Sequence, residues 1–231
     1  MPRTTKVECP GCPPIRALTF DVLGHVKVIE ARSKQGGVLK LLAVARKSGS
    51  VEVLSPVTGD LRVSITNSTH PDLRPEDDAI VGLHMFKKQI QEASSRSCTL
   101  LTCTTKGHAS MRSVEVPKSP QDSTSCGSPT TWNVCAAGNI VCLKVDGNED
   151  YALFGGKGVE LNVWDLNTCT KNWTAKSPAK NSFDIFTPTW FTSATFLNND
   201  DHRKIVAGTN SHQVRLYDIS SQRRPVISID F

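Results

Sequence analysis

Short apolar runs separated by polar turns fill most of the chain. Valine, leucine, isoleucine and threonine dominate the runs, and clusters of glycine, serine, asparagine and aspartate separate them. Many runs alternate between apolar and polar residues, which places successive side chains on opposite faces of a strand. Few windows have the apolar residues at i, i+3, i+4 and i+7 that an amphipathic helix needs. The pattern therefore predicts an all-β protein built from antiparallel hairpins.

Four segments share one pattern of residues. Each begins with an apolar strand that ends in small residues, continues through a tight polar turn and finishes with an alternating strand. The segments are 41–54, 100–114, 151–166 and 204–219. The last two end in Trp164-Asp165-Leu166 and Tyr217-Asp218-Ile219. Self-similarity at a spacing of about 50–60 residues indicates a repeat architecture.

The residues of these repeats suit the central hairpin of a propeller blade. Small residues at the end of the first strand allow neighbouring blades to approach closely, and Trp164 and Tyr217 can fill the wider space between blades. Asp165 and Asp218 can accept backbone N–H groups in the turn that follows. We predict a structural role for these four residues. The predicted fold is a WD40-type β-propeller.

An innermost strand before each hairpin and an outermost strand after it complete four predicted blades. The innermost strands are predicted at 26–31, 80–86, 140–145 and 192–197, and the outermost strands at 61–65, 132–135, 170–175 and 225–229. The resulting blades are 18–65, 80–135, 140–176 and 190–231, with a flexible inter-blade loop at 117–131. WD-type rings usually have more than four blades. We therefore expect part of a larger ring, and closure with four blades is the alternative.

Composition and charge narrow the possible functions only slightly. Of the 231 residues, 38% are apolar, which suffices for a core, and the net charge is +5. This mild basic excess permits contact with RNA or an acidic partner, but it is weaker than nucleic-acid binding by charge alone requires. The beginning of the sequence lacks the apolar segment of a secretory signal. We therefore expect the eight cysteines to be reduced thiols.

Motifs for catalysis and for metal binding are weak. The chain has no Gly-x-Ser-x-Gly, no His-Glu-x-x-His and no Rossmann glycine pattern, and Gly155-Gly156-Lys157-Gly158 lacks the spacing of a phosphate loop. Cys9 and Cys12 form a CxxC pair, but a structural zinc site needs four ligands and no second pair has compatible spacing. We expect no enzyme activity, no cofactor and no metal, and the role of Cys9 and Cys12 stays open.

The third and fourth repeats resemble a family of nucleolar WD-repeat proteins. The resemblance is clear over about residues 150–231, and weaker traces extend it over most of the chain. The residues that carry it are Gly155-Gly156-Lys157, Leu161-Asn162-Val163-Trp164-Asp165-Leu166, the stretch 173–190, His212-Gln213-Val214-Arg215-Leu216-Tyr217-Asp218 and Gln222-Arg223-Arg224-Pro225.

This resemblance implies a seven-bladed propeller without catalytic activity, of which the chain resembles the N-terminal part. It implies a role in assembly and rRNA processing of the large (60S) ribosomal subunit, with binding to the pre-60S particle through ribosomal proteins or rRNA. It further implies release by an AAA-type ATPase and a location in the nucleolus or nucleus. Neither a membrane nor a small-molecule substrate is expected.

Six residues are candidates for contact with RNA or a ribosomal partner. Arginine forms paired hydrogen bonds with phosphate or carboxylate and stacks on bases. Arg223 and Arg224 fall in a loop of the kind through which partners dock. The other candidates are Lys157, His212, Gln213 and Arg215. The alternatives are a half-buried blade position for Arg215, paired with an aspartate, and a solvated turn for Arg223 and Arg224.

A second function stays open on the sequence alone. It is a WD-repeat adaptor for protein interactions, such as a ubiquitin-ligase substrate receptor or a signalling scaffold. Receptors of that kind commonly carry arginine two residues after the Trp-Asp pair, whereas Asn167 and Ser220 stand at that position here. This difference favours the ribosomal role.

Overall fold

In the computed structural model of the chain, the described residues form sixteen strands and no helix. These residues are 26–32, 38–46, 49–55, 59–66, 79–86, 97–115, 126–178 and 189–231, with side chains from Leu41 onward. The predictions for Cys9, for Cys12 and for the start of the first blade at residue 18 fall outside this part of the chain.

The strands form four antiparallel sheets, each with four strands in chain order. The first sheet contains β1 (Val26–Arg32), β2 (Val38–Ala45), β3 (Ser50–Leu54) and β4 (Leu61–Thr66). The second contains β5 (Ile80–Met85), β6 (Ser97–Thr104), β7 (His108–Glu115) and β8 (Thr130–Asn133). The third contains β9 (Asn139–Val145), β10 (Tyr151–Lys157), β11 (Val159–Asp165) and β12 (Thr170–Thr174). The fourth contains β13 (Phe191–Asn198), β14 (Asp201–Thr209), β15 (Gln213–Asp218) and β16 (Ile227–Asp230).

The first strands of successive sheets pack against one another. Strand β5 contacts both β1 and β9, and β13 contacts β9 and β10. A glycine permits one of these close approaches, because a Cβ atom added at Gly82 would lie only 2.6 Å from the Cβ atom of Leu143. Sheets of four sequential antiparallel strands that pack in order through their first strands are propeller blades. The predicted all-β fold of WD40 type is therefore confirmed, whereas the larger ring stays a prediction.

The hydrophobic core is divided into layers that lie between neighbouring sheets. One layer joins the first and second sheets, the next joins the second and third, and another joins the third and fourth. Val53 and Met85 are fully buried in the first of these layers, Phe154 in the second, and Phe191 and Ile205 in the third. Full burial of such a side chain contributes about 1.5–3 kcal/mol. The sheets are thus held together mainly by apolar contacts between blades.

The turn between the second and third strands of each sheet ends with a residue of positive φ. These residues are Gly49, Gly107, Gly158 and His212, with φ of 78°, 86°, 71° and 57°. Glycine adopts this left-handed conformation without the steric cost of a Cβ atom, and histidine is among the other residues that are enriched there. A glycine after serine or lysine therefore closes three of these hairpins, and His212 after Ser211 closes the fourth.

The predicted flexible loop at 117–131 is wrong at its C-terminal end. Strand β8 begins at Thr130, two residues before the predicted strand, and Thr130 pairs with Met111 of β7. The Gly127 N–H donates to the Ser113 carbonyl at 2.9 Å, which extends the contact with β7 further upstream. The content of proline, serine, glycine and threonine predicts a loop, but β-branched threonine also fits a half-buried strand. Residues 116–125 lie outside the described part of the chain.

Strands that alternate in direction give the row of sheets two faces. The upper face carries the turns between second and third strands and the connections between sheets, at 105–108, 134–138, 157–158, 175–178, 189–190 and 210–212. The lower face carries the other turns, at 59–60, 146–150, 166–169, 199–200 and 219–222. Backbone hydrogen bonds link neighbouring sheets on both faces. On the upper face the Gly158 N–H donates to the Thr189 carbonyl, and on the lower face the Gly147 N–H donates to the Asn199 carbonyl, each at 2.7 Å.

Candidate functional site

The six residues predicted to contact a partner occupy three different places. Lys157 and His212 lie on the upper face. Gln213 and Arg215 lie on β15, and Arg223 and Arg224 lie in the loop between β15 and β16. The structure therefore does not assemble these six residues into one site, and their contact with a partner stays a prediction.

Lys157 lies at the end of β10 on the upper face and is exposed. Its Nζ atom lies 4.4 Å from the centre of the Trp190 ring, which belongs to the connection entering the fourth sheet. The backbones of the two residues also form an isolated antiparallel bridge. Such a cation–π contact is worth about 0.5–1 kcal/mol at an exposed site. Lys157 therefore places a positive charge on the upper face and covers an aromatic ring there.

His212 completes the hairpin turn of the fourth sheet. The Thr209 hydroxyl accepts the Gln213 N–H at 3.2 Å, which fixes the turn, and the His212 carbonyl accepts the Phe231 N–H at 3.0 Å. His212 itself is exposed. Its imidazole therefore belongs to the upper face, and its left-handed backbone serves the turn.

Arg215 is buried, with only 7% of its surface exposed. Its Nε and Nη2 atoms donate to the Gln213 Oε1 atom at 3.1 and 2.7 Å. Arg215 also lies close to Tyr217, since burial raises the pKa of the Tyr217 hydroxyl while the neighbouring guanidinium opposes this rise. The guanidinium thus lies inside the fourth sheet's contact layer, with a neutral glutamine as its acceptor in place of the aspartate considered from the sequence.

Arg223 links the outer edges of the third and fourth sheets. Its Nε atom donates to the Thr174 carbonyl at 2.6 Å, and its own carbonyl accepts the Lys176 N–H at 2.8 Å. Both Arg223 and Arg224 are exposed. The pair therefore lies on the outer rim, where the last strands of the sheets run, and Arg223 also joins two blades there.

Trp164 and Tyr217 occupy equivalent positions in two successive contact layers. The Trp164 ring packs on Trp132 of the second sheet, with 6.3 Å between ring centres, and its Nε1 atom donates to the Asn162 Oδ1 atom at 2.6 Å. Tyr217 is fully buried and meets Trp173 of the third sheet edge to face at 5.9 Å. Each ring therefore touches a tryptophan on the last strand of the preceding sheet, and aromatic pairs of this kind add about 0.5–1.5 kcal/mol to burial.

Asp165 and Asp218 follow these aromatic rings and stabilise turns of the lower face. The Asp165 Oδ1 atom accepts the backbone N–H groups of Asn167 and Thr168 at 2.8 and 3.2 Å. The Asp218 Oδ1 atom accepts the Ser220 N–H at 3.0 Å as well as the Ser220 hydroxyl. The hydroxyl is the main reason why the pKa of Asp218 lies below its usual value. Carboxylates that accept backbone N–H groups in this way form Asx turns.

Two further aspartates of the lower face also serve the local backbone. The buried Asp146 Oδ1 atom accepts the N–H groups of Asp150 and Tyr151, each at 2.9 Å. The Asp201 Oδ1 atom accepts the Arg203 N–H at 3.0 Å and the Arg203 Nε–H at 2.8 Å. Arg203 lowers the pKa of Asp201 to about 2. The acidic side chains of this face are therefore mostly engaged in holding its turns.

A cavity on the upper face contains residues that the sequence analysis did not identify. It has a volume of about 400 Å³ and lies where the second sheet meets the connection to the third. The lining residues are Lys106, His108, Asn133, Cys135, Ala136, Ala137 and Gly138. One signal could have located it, because Lys106-Gly107 and Lys157-Gly158 occupy the same position of successive hairpins and point to one basic face.

The described residues were also compared with the requirements of a metal site and of a reactive thiol. No three side chains of His, Cys, Asp or Glu come together there as a possible metal site. Burial raises the pKa of the Cys98 thiol to about 11 and that of the Cys142 thiol to about 12, which disfavours the reactive thiolate. No helix in the described part of the chain is long and apolar enough to cross a membrane.

Part of the chain is similar to WD repeat-containing protein 74. The identity is 38% over 79 residues with the Bos taurus protein, 37% over 78 residues with the Mus musculus protein and 37% over 79 residues with the Homo sapiens protein. Each match covers 33% of this chain and 20% of the relative, so the shared region spans about a fifth of these curated relatives. The resemblance to a WD-repeat protein family is thereby confirmed over a third of the chain.

The fold is also similar to a solved structure. The crystal structure of Chaetomium thermophilum Raptor matches with a TM-score of 0.60 and 15% sequence identity. The match covers 83% of this chain and 15% of that chain. At this level of identity the likeness concerns the fold alone. No family model matches the chain.

Proposed function

We propose that this chain, a WD-repeat propeller similar in part to WD repeat-containing protein 74, is a non-catalytic scaffold in assembly of the large ribosomal subunit. It docks on pre-60S particles through loops of the propeller and thereby supports rRNA processing. Its partners are ribosomal proteins or rRNA of the particle, and an AAA-type ATPase releases it. It acts in the nucleolus.

The observation that carries this proposal is a set of exposed lysines on the upper face, where loops connect the sheets. They are Lys106, Lys157 and Lys176. Aspartates of the lower face are instead engaged in holding turns, as Asp146 and Asp165 are. Exposed lysines attract the phosphates of rRNA and the acidic segments of proteins, and they do so without any catalytic group.

The resemblance of the third and fourth repeats supplies the ribosomal context. The residues that carry this resemblance include both those that build the contact layer, such as Trp164 and Tyr217, and those exposed on the rim, such as Arg223 and Arg224. Residues of the first kind would be expected in any WD-type blade. Arg223 and Arg224 are not residues that every blade requires for its structure. Their exposure supports a partner that contacts this rim and the adjoining upper face.

Sedimentation of the full-length protein in a sucrose gradient tests the proposal. We expect the tagged protein to travel with precursors of the large subunit in a cell extract at low salt, and to move toward the top at high salt because screening weakens contacts between exposed charges. A protein that stays at the top of the gradient at every salt concentration, with no precursor rRNA attached, would contradict the proposal.

A charge-neutralised variant sharpens the same experiment. Lys106→Gln and Lys176→Gln together remove two charges from the upper face, so that the variant should leave the precursor fractions at lower salt than the parent. Lys144→Gln with Lys204→Gln, both toward the lower face, is the matched control and should sediment as the parent does. Equal loss from both variants would show that only total charge matters.

A further inference from the structure

Backbone hydrogen bonds fix both walls of the cavity at the upper end of the second sheet. His108 and Asn133 are direct partners across β7 and β8 and form one wall. The other wall, 134–138, is fixed at its two ends. There the Val134 N–H donates to the Gly107 carbonyl at 2.9 Å, and the Ile140 N–H donates to the Thr105 carbonyl at 2.8 Å. A volume of about 400 Å³ lies within the range of about 300–1,000 Å³ that is usual for ligand pockets.

The chemistry of the lining suits an anionic group. Lys106 provides an ammonium group, His108 an imidazole and Asn133 an amide, and none of the seven lining residues is acidic. The Lys106 Nζ atom also donates to the Asn139 Oδ1 atom at 3.3 Å, which holds the ammonium group beside the wall 134–138. Lys106 acts on the Cys135 thiol as well, because it lowers the pKa of that thiol against the larger effect of burial, which raises it. The cavity lining thus has one lysine, two further hydrogen-bonding side chains and no acidic residue.

The aromatic rings near this cavity favour a peptide over single-stranded RNA. Unpaired bases are usually bound by stacking on exposed aromatic side chains. Here Lys157 covers the Trp190 ring at 4.4 Å, and Trp132 packs on Trp164 at 6.3 Å between ring centres. Ala136 and Ala137, by contrast, present small exposed side chains and adjacent backbone, which is the surface that an extended peptide can follow.

We propose that this cavity binds an acidic peptide segment of a partner protein, with carboxylates against Lys106 and His108 and the peptide backbone against Asn133. This inference rests on the proposed scaffold function, since it assigns one part of the upper face to one kind of partner. It also stands apart from the six residues that the sequence predicted, because Lys157 and His212 do not line the cavity.

Binding of fluorescein-labelled peptides to the purified full chain, measured by fluorescence anisotropy, tests the inference. The probes are short poly-glutamate and poly-aspartate peptides, a poly-glutamine peptide of equal length and a short oligouridine. We expect the acidic peptides to bind and the neutral peptide not to bind. Lys106→Gln should weaken binding about tenfold, which is the size expected for loss of one charged hydrogen bond, whereas Lys144→Gln on the lower half of β9 should leave it unchanged.

A second variant tests the cavity without changing Lys106. Ala137→Glu places a carboxylate at the exposed edge of the cavity, where it should repel acidic peptides while the thermal unfolding midpoint stays that of the parent. Failure of both acidic peptides to bind, or equal binding by the parent, Lys106→Gln and Ala137→Glu, would overturn the inference. Tighter binding of oligouridine that is lost in the same two variants would also overturn it in favour of RNA.

The result separates this inference from the proposed function. If acidic peptides fail to bind while the full-length protein still sediments with large-subunit precursors, the cavity assignment is wrong and the scaffold function stands. If acidic peptides bind the cavity but the protein never associates with precursors, the ribosomal role is wrong and the peptide site stands.

Discussion

The upper and lower faces of the sheets support their turns with different side chains. Both faces contain residues of positive φ, such as Gly107 on the upper face and Glu149 on the lower face. On the lower face, aspartate side chains also accept the backbone N–H groups of their own turns, as Asp165 does for Asn167 and Thr168. On the upper face, hydroxyl groups do so in two hairpins, where the Thr104 Oγ1 atom accepts the His108 N–H and the Thr209 Oγ1 atom accepts the Gln213 N–H, each at 3.2 Å. The lower face therefore uses carboxylates for structure, whereas lysines such as Lys106 are exposed on the upper face.

This difference separates the residues that stabilise the fold from those that we expect to bind a partner. Replacing a side chain that completes a turn of the lower face should lower the free energy of unfolding, whereas replacing a lysine of the upper face should mainly weaken partner binding. The contact layers between the sheets support both faces at once. Variants of these three kinds therefore distinguish general loss of structure from loss of function.

The largest effect is expected in a contact layer and should not distinguish the faces. Trp164→Ala removes the ring that packs on Trp132, and truncation of a buried tryptophan costs about 3–5 kcal/mol of unfolding free energy. Urea denaturation followed by circular dichroism measures this loss, and partner binding should fall with it. An unfolding midpoint equal to that of the parent would show that Trp164 does not join the two sheets.

Loss of a buried carboxylate on the lower face should have a smaller effect. Asp146→Ala leaves the N–H groups of Asp150 and Tyr151 without their acceptor, and such a loss costs about 1–3 kcal/mol. Asp146→Asn is the matched variant, because its amide oxygen can still accept both hydrogen bonds. The same denaturation experiment should place Asp146→Asn between the parent and Asp146→Ala. Equal midpoints for all three would refute this role of Asp146.

Acid should weaken the lower face selectively. The pKa of Asp201 is lowered to about 2 by Arg203, and that of Asp218 is lowered chiefly by the Ser220 hydroxyl. A carboxylate with a lowered pKa stabilises the folded state above its unfolded pKa, and this stabilisation is lost as the pH falls through the folded value. Thermal unfolding midpoints between about pH 5 and pH 2 should therefore decline. The decline should be shallower in the Asp201→Asn, Asp218→Asn double variant, and an identical slope would count against the assignment.

The smallest effect on stability is expected for the lysines of the upper face. Lys106→Gln with Lys176→Gln should change the free energy of unfolding by no more than about 0.5 kcal/mol, because both side chains are exposed. The same variant should nevertheless leave the large-subunit precursors at lower salt than the parent does. A large loss of stability together with unchanged precursor binding would reverse the distinction between the two faces.

The fold was accessible from the sequence because its repeats carry strong local signals. Alternating strands, Lys-Gly turns and an aromatic residue followed by aspartate each have a direct structural cause, and the central hairpins indeed form pairs such as β10 with β11. Strand β8 was placed two residues late because Thr130 and Thr131 suit a loop as well as a strand. Tertiary pairing with β7 decides between the two.

The candidate site could be predicted less well from the sequence, because it depends on the conformations of loops. The sequence cannot tell that Arg223 turns back to the Thr174 carbonyl on the rim, or that Arg215 lies buried beside Gln213. The cavity combines Lys106 with the segment 134–138, which is distant in sequence and has no motif of its own. The pairing of β7 with β8 and the hydrogen bond from the Ile140 N–H to the Thr105 carbonyl bring these residues together.

The central claim, that the upper face is the docking face, is tested most directly by site-specific photo-crosslinking. A photoreactive amino acid is placed at Ala137 on the upper face or at Asp200 on the lower face of the full-length protein, since both positions are exposed. Large-subunit precursors are then isolated and irradiated. The account predicts crosslinks to a component of the precursor from position 137 and none from position 200. Crosslinks from position 200 with none from position 137 would contradict it.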